Sequence, residues 1–162
     1  LAIISVLSMR GYSVVASDFS AGRRALAEQL GASLTLDPAV AEPLEAQTWP
    51  QDGHTVIFEC VGVKGMLDQL FSKAPRNTRI VVVGVCLETD ASRPLIAINK
   101  ELSLQFVLGY TVQEFSETLQ LLGEGELNVS NLVTDKVPLM QVSDAFQRLA
   151  DPRTDGKIIV IP

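Results

Sequence analysis

The chain is poor in the residues that build metal sites and disulfide frameworks. Its 162 residues include two cysteines, Cys60 and Cys86, and one histidine, His54. The cysteine separation fits no zinc-ligand spacing and the histidine has no second histidine to work with, so no metal site is expected from this chain by itself. Both cysteines stand in apolar stretches and read as buried, reduced thiols of a cytoplasmic protein. Positive charge is also scarce. Against 19 Asp and Glu there are 13 Lys and Arg, for a net charge of −6 and a pI near 4.7, which argues against a nucleic-acid partner. No apolar run reaches the roughly 18 residues of a membrane span. The apolar first nine residues lack the basic flank and small-residue cleavage site of a secretory leader, since Arg10 and Gly11 follow them. No internal repeat, low-complexity tract or G-x-G-x-x-G loop occurs anywhere.

What is present is a globular composition, 47% hydrophobic and 20% charged, on a chain long enough to bury a core. Short apolar runs alternate with helical segments. Residues 1–9 read as a buried helix, 12–17 (YSVVAS) as a strand, and 21–30 (AGRRALAEQL) as an amphipathic helix stopped by Gly31. A short strand is expected at 33–36 and a proline-bearing loop at 37–53, in which Glu42 and Glu45 read as solvated surface. A strand at 54–59 (HTVIFE) and a helix at 65–73 follow. The run 79–85 (RIVVVGV) is apolar at nearly every position, as burial on both faces of a parallel sheet produces. Further expected elements are a strand at 102–108, helices at 114–122 and 142–149, and a last strand at 157–161. Strands separated by helices of about ten residues indicate βαβ units, hence an α/β, doubly wound parallel sheet of Rossmann type.

In such sheets ligands lie outside the carboxyl ends of the strands. Asp18 stands at one such end, where an acidic residue accepts hydrogen bonds from ribose hydroxyls and its charge repels a 2′-phosphate. Asp18 followed by Ser20 also reads as a turn or cap that starts the next helix, and the sequence leaves both readings open. "FECVG" (58–62) ends a strand in small residues. Cys60 and Val61 could offer apolar contact there and Gly62 could let backbone come close, but the sequence names no partner for the Glu59 carboxylate. "VVVGV" (81–85) similarly ends at Gly84, and "LQFVLGY" (104–110) brings a further strand end. Taken singly, each reads more readily as ordinary core.

Taken together, "SDFSAGRRALAEQLGA", "VIFECVG", "RIVVVGV" and "KELSLQFVLGYTVQEFSETLQLL" resemble, in order and spacing, the cofactor-binding half of the medium-chain dehydrogenase/reductase superfamily. The narrower resemblance is to its zinc-dependent alcohol and polyol dehydrogenases, and it runs to "DPRTDGKIIVIP" at the end. It implies hydride transfer between a small alcohol or carbonyl substrate and NAD, with NADP disfavoured by Asp18. It further implies cofactor contacts at Asp18, Phe19, Arg23, Cys60, Val61, Gly62, Val83, Gly84, Val85, Val107 and Leu108, with Lys157 near the phosphates.

In that family a first strand and a glycine loop precede the opening helix, and an amino-terminal domain supplies the zinc ligands. The resemblance therefore implies a piece of a longer enzyme, with residues 1–109 as a Rossmann domain lacking its first strand and residues 110–162 returning to the catalytic domain. Zinc would be held outside this chain and act as a Lewis acid on the alcohol oxygen. No catalytic residue is expected within residues 1–162, and weak NAD binding is expected of them alone. A homodimer or tetramer of the full-length protein is implied, paired through the strand at 102–108. Two alternatives stay open, a zinc-independent NAD(P)H quinone or enoyl reductase and a non-catalytic nucleotide-binding scaffold.

Overall fold

A computed structural model of the chain describes residues 1–44, 55–151 and 155–162. His54, Glu45 and residues 152–154 lie outside the described residues, as does most of the second half of the loop expected at 37–53. The elements in order are α1 (Ala2–Met9), β1 (Val15–Ser17), α2 (Ala21–Gln29), β2 (Leu34–Leu36), β3 (Val56–Glu59), α3 (Met66–Lys73), β4 (Arg79–Val82), α4 (Pro94–Asn99), β5 (Ser103–Phe106), α5 (Val112–Gly123), β6 (Val133–Pro138), α6 (Val142–Leu149) and β7 (Lys157–Ile161). Every strand pairing is parallel, and the fold is the α/β, Rossmann-type class that the alternation of runs predicts. The chain forms two compact units, one of Leu1–Pro43 with Thr111–Pro162 and one of Leu44–Tyr110. None of the helices among the described residues is long and apolar enough to cross a membrane.

In the first unit β1 pairs with β2 and β6 with β7. Ile4 of α1, Ala27 of α2, Leu30 and Leu132 form its buried cluster, with Val14 and Ala16 against them. Both opening helices end by the same device. The N–H of Gly11 donates to Ser8 O (2.9 Å) and that of Tyr12 to Leu7 O (3.0 Å); after α2, Gly31 donates to Glu28 O (3.0 Å) and Ala32 to Ala27 O (2.9 Å). This crossed pair of bonds needs a left-handed residue just past the helix, and Gly11 (φ 77°) and Gly31 (φ 100°) supply it. The two sites differ in their surroundings. A Cβ at Gly31 would overlap the Ser8 side chain, whereas a Cβ at Gly11 would meet nothing.

The second unit is the sheet β3–β4–β5 with α3 and α4 as crossovers. Leu70 and Phe71 of α3 pack with Ile57, Ala74, Ile80 and Val82 into one core, in which Ile80 is fully enclosed. Removing a side chain of that size from water contributes about 1.5–3 kcal/mol. β5 is an edge strand and all four of its residues are exposed.

Several details depart from the expected elements. β4 stops at Val82 rather than residue 85, because the Glu59 carbonyl takes the N–H of both Val83 (2.8 Å) and Gly84 (2.9 Å) and turns the chain out of the ladder. α5 begins two residues early, on a capping box: Thr111 N–H donates to Glu114 Oε2 (2.6 Å) and Glu114 N–H to Thr111 Oγ1 (3.1 Å). α4 and β6 were not expected. α4 is only six residues long and opens on Pro94, while β6 mixes Asp135, Lys136 and Pro138 into its run. Neither cysteine is buried. Cys60 is exposed and Cys86 intermediate, since each stands past the end of its strand rather than within it.

The paired helix ends carry a test. Gly31→Ala is expected to lower unfolding stability by about 2 kcal/mol or more, combining left-handed strain with overlap on Ser8, and Gly11→Ala by about 1 kcal/mol from strain alone. Urea denaturation of the two variants measures the difference, and equal losses would refute the packing argument.

Candidate functional site

Two sets of residues carry the predicted site, one in each unit. In the first, the Asp18 carboxylate divides its work. Its Oδ1 accepts the Ser20 N–H at 2.8 Å, forming the local turn that leads into α2. Its Oδ2 stands 3.7 Å from Arg23 Nη1, with the two side chains 36% and 42% exposed. The turn and ligand readings of Asp18 are therefore compatible, because only one oxygen is engaged by backbone. Ser20 caps α2 by accepting the Arg23 N–H at 3.3 Å. Phe19 projects into solvent, 75% exposed.

Arg24, which sequence reasoning passed over, holds this turn. Its Nη1 donates to Asp18 O (2.7 Å) and Phe19 O (2.9 Å) and pairs with Asp37 at 3.1 Å. An arginine in the first turn of a helix that follows a strand end was the available signal. Lys157 opens β7 and is exposed, with its carbonyl accepting from Thr134 Oγ1 at 3.3 Å.

In the second unit the carboxyl ends of β3, β4 and β5 frame a cleft of about 310 Å³. Gly84, Val85 and Val107 line it together with Val63, Met66 and Phe106, and the carboxylates Glu59, Glu88 and Asp90 stand on its walls. Cys60, Val61, Gly62, Val83 and Leu108 do not line it. Leu108 is 96% exposed. Partial burial of its sulfur, and the charge of Glu59, push the Cys60 thiol above its ordinary range, so it is no ready nucleophile.

Glu59 is the residue whose partner the sequence could not name. It is buried, and its Oε1 accepts the N–H of Val61 at 2.6 Å and of Gly62 at 2.8 Å. The carboxylate thus folds the chain back on itself just past β3. Gly62 then packs on the backbone of Val85, where an added Cβ would come within 2.5–2.7 Å, and a Cβ on Gly84 would meet Glu59 Oε2 at 2.6 Å and the Gly62 backbone. The predicted glycines are needed for close packing of two strand ends on each other.

Among the described residues there is no group of three or more His, Cys, Asp or Glu side chains that could hold a metal ion. An apolar cleft with a few convergent polar groups at parallel strand ends does fit a flat, weakly polar ring.

The family described as zinc-binding dehydrogenase matches residues 1–124. Geraniol dehydrogenase of Carpoglyphus lactis is 26% identical over 155 residues, covering 91% of this chain and 40% of that protein. The structure of 2R,3R-butanediol dehydrogenase from Bacillus subtilis superposes with a TM-score of 0.83 at 27% identity, covering 99% of this chain and 47% of that one. A zinc-binding dehydrogenase of Sinorhizobium meliloti 1021, bound to NADP, shares the fold with a TM-score of 0.81 at 24% identity, covering 98% of this chain and 48% of that one. The chain spans less than half the length of these relatives.

The Glu59 turn yields a direct test. Glu59→Ala strands two N–H groups and is expected to cost about 1–3 kcal/mol in urea denaturation, while Glu59→Gln, which keeps one acceptor oxygen, costs about half of that or less. Loss-free unfolding of Glu59→Ala would show that the carboxylate does not hold the strand end.

Proposed function

The chain belongs to the zinc-binding dehydrogenase family, within the medium-chain dehydrogenase/reductase superfamily that its motifs resemble, and from that premise we propose that it is the NAD-binding portion of a dehydrogenase acting on a small alcohol or polyol. The observation that carries the reading is Asp18. Its second carboxylate oxygen is left by the backbone at the end of β1, where a ribose diol offers two O–H donors. A bound nicotinamide supplies the redox chemistry, taking a hydride from an alcohol carbon or returning one to a carbonyl. The chain's own residues bind and orient. Arg24 fixes the turn that presents Asp18. The apolar walls of the strand-end cleft, Val63, Val85 and Phe106, would shed water from a flat ring.

The other expected contacts belong to the same proposal: Phe19 and Arg23 beside the ribose, Cys60, Val61 and Gly62 toward the adenine, Val83 and Gly84 by the nicotinamide, and Leu108 at the carboxamide. No described side chain is assigned general acid or base work. A homodimer paired through the exposed edge strand β5, and a cytoplasmic location, complete the reading.

The NADP-bound relative has the same fold, so the fold alone does not select the cofactor. The selection rests on charge. A carboxylate at Asp18 and a 2′-phosphate would be like charges a few ångströms apart at a partly exposed strand end. Asp18→Asn keeps an oxygen for the Ser20 N–H while removing the charge. In the protein at its natural length, NADH and NADPH fluorescence titrations of this variant are expected to show the NADH-over-NADPH preference falling about tenfold or more. A preference unchanged within about twofold would sink the assignment.

A further inference from the structure

Segment 83–100 joins β4 to β5 and is fastened along the whole length of α3. At the amino end of α3, Asp90 Oδ1 accepts the N–H of Gly65 at 2.6 Å, across 25 residues of sequence. Gly65 is the N-cap of α3, and no side chain of its own segment caps that helix. One turn further, Arg93 donates Nε and Nη2 to the two oxygens of Asp68 (2.9 and 2.7 Å), its backbone N–H to Asp68 Oδ1 (3.0 Å), and Nη2 to Ser72 Oγ (3.0 Å). At the carboxyl end, Lys100 Nζ donates to Ser72 O (2.6 Å) and Ala74 O (2.8 Å). A carboxylate therefore sits at the positive end of the helix dipole and an ammonium at the negative end, both supplied by the same distant segment. Hydrogen bonding to Arg93 holds the Asp68 carboxyl below the usual carboxylate range, so this middle fastening persists into mildly acid solution.

The part of that segment nearest β4 is one wall of the strand-end cleft: Val85, Cys86, Glu88 and Asp90 all line it, facing Val63 and Met66. Met66 is the first residue of α3. The Asp90–Gly65 bond is thus a tie from wall to wall, and its length fixes how far the two walls stand apart. Arg93 and Lys100 anchor the segment farther along, outside the cleft lining. If Asp90 lets go, residues 85–90 lose this tie to α3 while Arg93 and Lys100 keep the rest of the segment fastened.

We infer that Asp90 is a positioning residue: its carboxylate ties segment 85–90 to the amino end of α3 and so sets the width of the cleft for the nicotinamide end of the cofactor. The inference rests on the NAD-binding reading above, and two variants in the protein at its natural length separate it from that reading. Asp90→Ala removes the acceptor. Asp90→Asn keeps an oxygen at the same place and loses only the charge.

The expected result in Asp90→Ala is a KM for the nicotinamide cofactor raised about tenfold with kcat within about twofold, and in Asp90→Asn a KM within about threefold of the parent. Hydrogen exchange on the cofactor-free protein is expected to show amides of residues 85–90 exchanging about tenfold faster in Asp90→Ala, near parent rates in Asp90→Asn, and unchanged rates beyond Arg93 in both. A role in folding stability alone would lower the melting temperature without raising KM selectively. Unchanged exchange at 85–90 in Asp90→Ala overturns the tie, and faster exchange with an unchanged KM overturns the positioning role. A parent protein that binds neither NADH nor NADPH overturns the functional reading, and the exchange rates still decide the tie.

Discussion

A buried carboxylate with two backbone donors governs the 44–110 unit. Glu59 ends β3, and its side chain takes the N–H groups of Val61 and Gly62 while its carbonyl takes those of Val83 and Gly84. One residue thereby closes the ends of two neighbouring strands. An acidic group at 5% exposure would be costly without donors, and here each of its backbone donors comes from the turn it creates. The close approach of Gly62 to Val85, and of Gly84 to Gly62 and Glu59, follows from that turn. A cleft can open beyond the strand ends because the chains leave β3 and β4 sharply there.

The wall of that cleft depends on a second, weaker set of interactions. α3 has no cap of its own at the amino end, and its last carbonyls would face solvent without Lys100. A helix of eight residues is marginal in isolation. Its stability comes from Leu70 and Phe71 in the core and from charges placed at its two ends by the segment after β4. The arrangement works in both directions, since the helix ends also hold the segment. The order of construction is then sheet, helix, strap, cleft, and each stage rests on the one before.

Much of this order was legible in the sequence, and the reason is periodicity. The nearly unbroken apolar run at 79–85 and the alternation of runs with helices point to the parallel sheet without reference to any partner residue. Gly31 marks a helix end because a left-handed residue is needed there. What was not legible depends on residues far apart in sequence. Glu59 showed no partner because its donors are backbone groups, which every residue has. The Asp90–Gly65 and Arg93–Asp68 ties span 25 residues, and no local pattern announces them. α4 hid because six residues are too few for a helical period to show. The capping box at Thr111 and Glu114 was a local signal and could have placed the start of α5 two residues earlier. The cysteines were misjudged for a simple reason: an apolar neighbourhood in sequence predicts burial inside a strand and says little about the residue just past its end.

Asp18 shows how a residue that builds a turn can keep an oxygen beyond the turn's own needs. Asp is common after a strand because its side chain satisfies an N–H two residues on, and Oδ1 does that here. A carboxylate has two oxygens and about four acceptor sites, so this bond uses a fraction of its capacity. It also removes the rotational freedom of the side chain before any ligand arrives. Arg24 removes the freedom of the backbone that carries it, through Asp18 O and Phe19 O. The remaining oxygen is then aimed by local structure, and the entropy of ordering it is already spent in folding. Serine at this position could make the same turn but would bring no fixed charge. The carboxylate keeps its charge beside Arg23 at the end of β1, which the turn by itself does not require.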